Sequence, residues 1–339
     1  MPALSDSPFG IARRPVMSVC RAVPAFAVAL GLLAPPIRAQ AAIDPNMAPR
    51  AAALERAGER QVATDLLGHY LATAQDDGKA WFELGRFYIL DARDWHVRGH
   101  VGDPDGQLYL DLSGVALDQA RKLLVDSAEV FRGVVEMERA LLFVEDSGWA
   151  AARDHHPRLM PAPLPPYVVE LGVNILKSCP VRGVLLTGNQ LETVAVWYAS
   201  LEAGYRGDVL PLRPDLYSLD SVYRRRMASE MGIDPALPVR PALAAAALRR
   251  PVCVGPTADT MAAPAQRFTP LRLVRVIGGG SAQPDAPSIG ELLEASRLGG
   301  GVWTREVMAV YSAAARFNPM LCGGLLLPLG DLPPRACGN

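Results

Sequence analysis

The sequence predicts an α-helical hairpin region followed by an α/β module, a small parallel or mixed sheet with flanking helices. Three observations carry that expectation. Residues 50–153 repeat apolar side chains at helical spacing. Residues 167–280 alternate short apolar runs with amphipathic stretches, as in GVLLTGNQLETVAVWYASLEAG at 183–204. Between the two lies HHPRLMPAPLPPY, whose five prolines exclude helix and place a linker and domain boundary at 154–166.

The first 41 residues read as a signal peptide. Arg13, Arg14 and Arg21 precede the apolar run Val23 to Leu33, and Ala39-Gln40-Ala41 supplies a small-x-small cleavage site. A helical bilayer span needs about 20 apolar residues, more than this run supplies, so no span is expected after cleavage. Met17 is an alternative start that leaves a more compact leader. The expected location is therefore periplasmic or extracellular. Four cysteines follow the leader, Cys179, Cys253, Cys322 and Cys337. An oxidising compartment permits disulfides, and Cys322 with Cys337 close the short loop that makes them the first-choice pair. The other two pair or remain buried thiols.

Composition narrows the function classes. Half of the 339 residues are apolar and the net charge is −1, which excludes a disordered chain and gives no concentrated positive patch for nucleic acid. Lysine occurs only at 79, 122 and 177. The cysteines and histidines have no zinc spacing. His96 and His100 are four apart but carry no HExxH motif, and Asp103, Asp105 and Gly106 match a calcium loop only in part. Neither a metal nor a cofactor is expected.

Within 50–153, the apolar residues Leu54 to Leu71 predict one helix over Ala51 to Thr73, broken at Asp76-Asp77-Gly78. The next begins WFELGRFY at 81–88, matching W-x2-L-G-x2-Y at every defined position. That motif resembles a tetratricopeptide-repeat helix, in which the small Gly admits the partner helix and Trp, Leu and Tyr fill the groove. The resemblance implies a concave, partner-binding surface, with Trp81, Phe87 and Tyr88 as candidate contacts. At 96–114, Asp103-Pro104-Asp105-Gly106 followed by alternating Leu108, Leu110 and Leu112 predicts a β-hairpin insertion. Helices resume at 117–125 and 128–144.

The α/β module opens with a helix at 168–178. Gly183 to Thr187 reads as a buried strand, and Asn189 with Glu192 has capping-box spacing at the start of the following helix. Further strands fall at 208–212, 251–254 and 271–277, and a helical segment and tail occupy 288–339. A strand-helix-strand run of this length implies parallel pairing and a right-handed crossover. Ligands gather at the carboxyl ends of such strands, so Thr187, Asn189, Glu192, Arg213 and Asp215 are the candidate ligand-binding residues. Asn189 and Glu192 equally serve as helix caps and nothing more. The Gly pattern is neither a dinucleotide fingerprint nor a phosphate loop, and no G-x-S-x-G elbow occurs.

The stretch TGNQLETVAVWYASLEAGYRGDVLPLRPDLYSLDSVYRRRMASEMGI at 187–233 resembles the soluble C-terminal part of bacterial multi-pass membrane proteins of the protein O-mannosyltransferase-like kind. Thr187, Thr193, Trp197 and Tyr198 hold matching positions, and the likeness extends over about 167–278. The acidic positions of that family's turn become Gln190 and Glu192 here, and its Asn-Gly pair becomes Gly188-Asn189. Its multi-pass portion has no counterpart, so transferase activity does not carry over. The resemblance implies an extracytoplasmic α/β module joined to tetratricopeptide-like helices.

These readings converge on an exported, non-catalytic interaction protein with a protein or peptide partner, or a glycan, and no catalytic residue assigned. The rival is a cell-envelope glycan hydrolase or transferase using Glu192 or Asp215 as acid/base. An accessory subunit of a membrane glycosyltransferase rests on the resemblance alone.

Overall fold

Amphipathic periodicity makes the first half of the chain a stack of helices. The computed structural model describes residues 43–98, 104–155, 158–263, 267–277, 285–329 and 337. The expected leader, His100, Asp103 and the glycine run at 278–280 lie outside the described residues. Helices α1 (Met47–Arg56) and α2 (Arg60–Leu71) divide the single helix expected over 51–73, because Gly58 adopts φ +85°. Asp77 then caps α3 (Gly78–Val97), its carboxylate accepting the Ala80 N–H at 3.0 Å.

The β-hairpin expected at 96–114 is a correction: Pro104 opens α4, which runs unbroken to Lys122. Proline is suited to a first helical turn, where its missing N–H costs nothing. Leu110, Ser113, Gly114 and Leu117 then face the core at helical intervals, so tertiary burial overrides the apparent period of two. Close approach explains Gly85: a Cβ there would lie 2.7 Å from the Leu117 side chain of α4, whose Ser113 hydroxyl donates to the Gly85 carbonyl at 2.8 Å. Helix α5 (Ser127–Ser147) packs next, followed by the short α6 (Trp149–Arg153).

The proline stretch at 154–166 is not the domain boundary expected of it. Its Met160 and Leu164 are buried in one apolar cluster with Val134 of α5 and with residues of the sheet. Arg158 donates to the carbonyls of Leu201 and Glu202 at 2.8 and 2.6 Å. Extended backbone here is a packed strap, because its apolar residues alternate with the prolines. Residues 41–339 accordingly form one compact unit.

The α/β part follows its expected order. After α7 (Pro166–Ser178) come β1 (Val184–Leu186), α8 (Gln190–Leu201), β2 (Leu210–Leu212), α9 (Pro214–Leu219), α10 (Ser221–Met231), α11 (Val239–Ala247) and β3 (Val252–Val254). The last expected strand is instead a hairpin, β4 (Thr269–Leu271) and β5 (Val274–Ile277), turned at Arg272 with φ 52°. The mixed sheet has order β2-β1-β3-β5-β4. Val184 pairs in parallel with Leu210 and with Val252, while β5 runs antiparallel to β3. Helices α12 (Gly290–Arg297) and α13 (Val302–Phe317) pack against α7, and a short α14 (Met320–Gly323) follows them. Disulfides join Cys179 to Cys253 and Cys322 to Cys337. Among the described residues no helix is long and apolar enough to cross a membrane.

Candidate functional site

Strand order places β1 between its two parallel neighbours, so the turns leaving β1 and β3 diverge at a crevice where ligands bind in related architectures. That crevice is occupied by a side chain of the protein itself. Asn189 caps α8, its amide oxygen accepting the Glu192 N–H at 2.9 Å. Glu192 is fully buried and does not reach back to Asn189 as a full capping box requires. Its Oε1 accepts the Gly188 N–H at 3.2 Å, and its Oε2 accepts the Thr257 N–H at 2.8 Å and the Thr257 hydroxyl at 2.6 Å. Asn189 N–H donates to the Thr257 hydroxyl oxygen at 2.8 Å. Burial raises the Glu192 pKa, opposed by the Thr257 and Gly188 donors and the Arg275 charge. Residue 255 must be glycine, since a Cβ there would stand 1.8 Å from Glu192 Oε1.

An open recess of about 150 Å³ lies on the other side of the turn, lined by Arg93, Met137, Gly188, Gln190, Thr193, Arg213 and Asp215. Arg213 is 6% exposed and stands at the head of α9, with its N–H on the Tyr223 hydroxyl at 3.1 Å. Its guanidinium donates to Glu138 at 3.0 Å and to Asp215 at 3.0 Å. Arg93, from α3, donates to the same Glu138 oxygen at 2.7 Å. Burial alone would raise the Glu138 pKa, but the Arg93 and Arg213 charges and hydrogen bonds overcome it and hold the carboxyl down at about 2. Burial likewise opposes the charge on Arg213, and Glu138 and Asp215 overcome it, raising its pKa. The recess thus presents two guanidinium groups and the Asp215 carboxylate, with a primary amide and a hydroxyl beside them, while Glu138, outside the lining, balances the second positive charge.

The five expected ligand-binding residues separate accordingly. Arg213 and Asp215 line the recess. Thr187 is buried with its hydroxyl toward the Leu212 carbonyl at 3.4 Å, Asn189 is a cap, and Glu192 is sealed inside. Arg93, Glu138 and Gln190 carry no sequence signal that distinguishes them from other helical polar residues. The expected partner contacts also change. Phe87 is fully buried among Leu67, Leu84 and Ala116, and so presents no surface. Trp81 is partly buried with its Nε1–H on the Gln75 carbonyl at 2.8 Å, and Tyr88 stacks on Tyr109. The covering helices use this aromatic face for packing.

No protein-family model, curated protein or solved structure matches this chain.

Proposed function

We propose that the chain is an exported, non-catalytic binding protein whose recess between α3, α8 and the start of α9 anchors one polar group of a larger peptide or glycan. One observation carries this reading: Glu192, the carboxylate that the described residues place at the β1 turn, is taken up by the main-chain N–H groups of Gly188 and Thr257. A general acid needs a proton to give near neutral pH, and Glu138, held at about 2, has none. Asp215 is exposed and paired with Arg213.

Size and charge support the same reading. A recess of about 150 Å³ is smaller than the roughly 300 Å³ at which enclosed small-molecule sites begin, so it suits a single group. Its balanced charge and mixed donors and acceptors suit hydroxyls or an amide better than a free anion. Two disulfides support an oxidising compartment. The resemblance at 187–233 supports an extracytoplasmic place, and the WFELGRFY motif supports tetratricopeptide-like stacking of α1 to α4.

NMR titration with oligosaccharides and with short polar peptides tests the proposal. Shifts confined to Gln190, Thr193 and Asp215, lost in Gln190→Ala, support it. Turnover of envelope glycans that stops in Glu192→Gln or Asp215→Asn sinks it in favour of the enzyme reading.

A further inference from the structure

A second polar cluster stands apart from the recess. His96, near the end of α3, meets Glu145 of α5 and Asp220, the residue between α9 and α10. His96 Nε2 is 2.8 Å from Glu145 Oε1 and 2.9 Å from Asp220 Oδ2, and all three side chains are at least nine-tenths buried. One ligand atom from each lies within 4.8 Å of the others.

Hydrogen bonding does not account for this arrangement. An imidazole nitrogen carries one proton or one lone pair, yet Nε2 stands between two carboxylates, 2.8 Å from Glu145 and 2.9 Å from Asp220, so any proton there is shared between two acceptors. Glu145 Oε2 is buried with no hydrogen-bond partner among the described residues, and Asp220 Oδ2 is buried with only the shared His96 contact. Unpaired buried carboxylate oxygens are costly. Asp220 is also oriented from behind, since its Oδ1 accepts the N–H groups of Val222 and Tyr223 at 2.7 and 3.1 Å and leaves Oδ2 aimed at the histidine.

We propose that His96, Glu145 and Asp220 form a binding site for one divalent first-row transition-metal ion. Donors held about 2.1 Å from such an ion sit roughly 3.0–3.4 Å apart, close to the spacing observed here. One imidazole with two carboxylates suits zinc or manganese, whereas calcium and magnesium favour oxygen throughout. The ion completes the coordination of both carboxylates at once. It ties the helical array, through α3 and α5, to the α9–α10 junction of the α/β part, which makes it a structural staple. This departs from the sequence expectation of no metal, because the three ligands are 49 and 75 residues apart along the chain and share no motif.

Untagged full-length protein, dialysed against a chelator, is titrated with Zn2+ and separately with Mn2+ by calorimetry. One equivalent binds, the Tm rises, and chelator reverses the rise. Glu145→Gln and His96→Gln weaken binding at least tenfold. Should both variants fail to fold, Co2+ added to the wild-type protein still reports the site through visible absorption from an imidazole-carboxylate shell. Wild-type protein that takes up none of the three ions, or variants that bind as tightly as the wild type, overturns the proposal.

Discussion

Glu192 Oε2 accepts the Thr257 hydroxyl at 2.6 Å, so the helix following β1 is bolted to the turn following β3. This contact spans 65 residues and closes the crevice in which open α/β sheets usually hold ligands. Removing it tests whether Glu192 is structural. Glu192→Ala strands the Gly188 and Thr257 N–H groups and is expected to cost about 3 kcal/mol, measured by urea unfolding. Glu192→Gln keeps an acceptor and costs less. Ligand affinity at the recess stays unchanged in any variant that folds.

The same carboxylate bears on pH. Its pKa is raised in the fold by burial, so the folded state favours the protonated form. Its contribution to stability is present at low pH and is lost as pH rises through the raised value. Glu192→Gln removes that contribution from the pH profile of unfolding.

Glu138 works in the opposite sense. With a folded pKa of about 2, below the ordinary value near 4.3, it stabilises the protein fully above the ordinary value. That stability is lost as pH falls through about 2. Unfolding free energies from urea titrations are expected to decline by on the order of 3 kcal/mol between pH 5 and pH 2. Glu138→Gln, which leaves Arg93 and Arg213 buried without their shared anion, is destabilised at pH 7 and shows a flatter decline.

Gly255→Ala forces a methyl into Glu192 Oε1. The expected loss is about 3 kcal/mol, the upper end of ordinary overpacking. Pairing it with Glu192→Ala restores part of the loss, because the colliding atom is then gone. A double-mutant cycle by thermal or urea unfolding measures that coupling, and additive losses would show that the two positions do not touch.

The disulfides are expected to differ in worth. Cys179 and Cys253 are 74 residues apart and Cys322 and Cys337 are 15 apart. Loop-closure entropy predicts losses of roughly 4 and 3 kcal/mol when each is replaced by a serine pair. Equal melting temperatures with and without reductant would contradict both figures.

Local features are the legible ones. Asn189 as a cap and Gly232 as a helix end follow from spacings of a few residues, and the parallel pairing of β1 with β2 follows from the one helix between them. The helix over Pro104–Lys122 is not legible, because Pro-Asp-Gly and alternating leucines match a hairpin until α3 and α5 bury the opposite face. Phe87 reads as a surface contact until α1, α2 and α4 cover it.

By itself the sequence determined that a helical region precedes a small sheet with flanking helices, and it placed caps such as Asn189, since those choices depend on neighbours within a turn or two. Only the tertiary structure decided what the polar residues do. Arg93 meets Arg213 across Glu138, Glu192 meets Thr257, and His96 meets Asp220 over separations that no local pattern encodes. A buried charge must find partners wherever packing brings them, and packing depends on the whole chain.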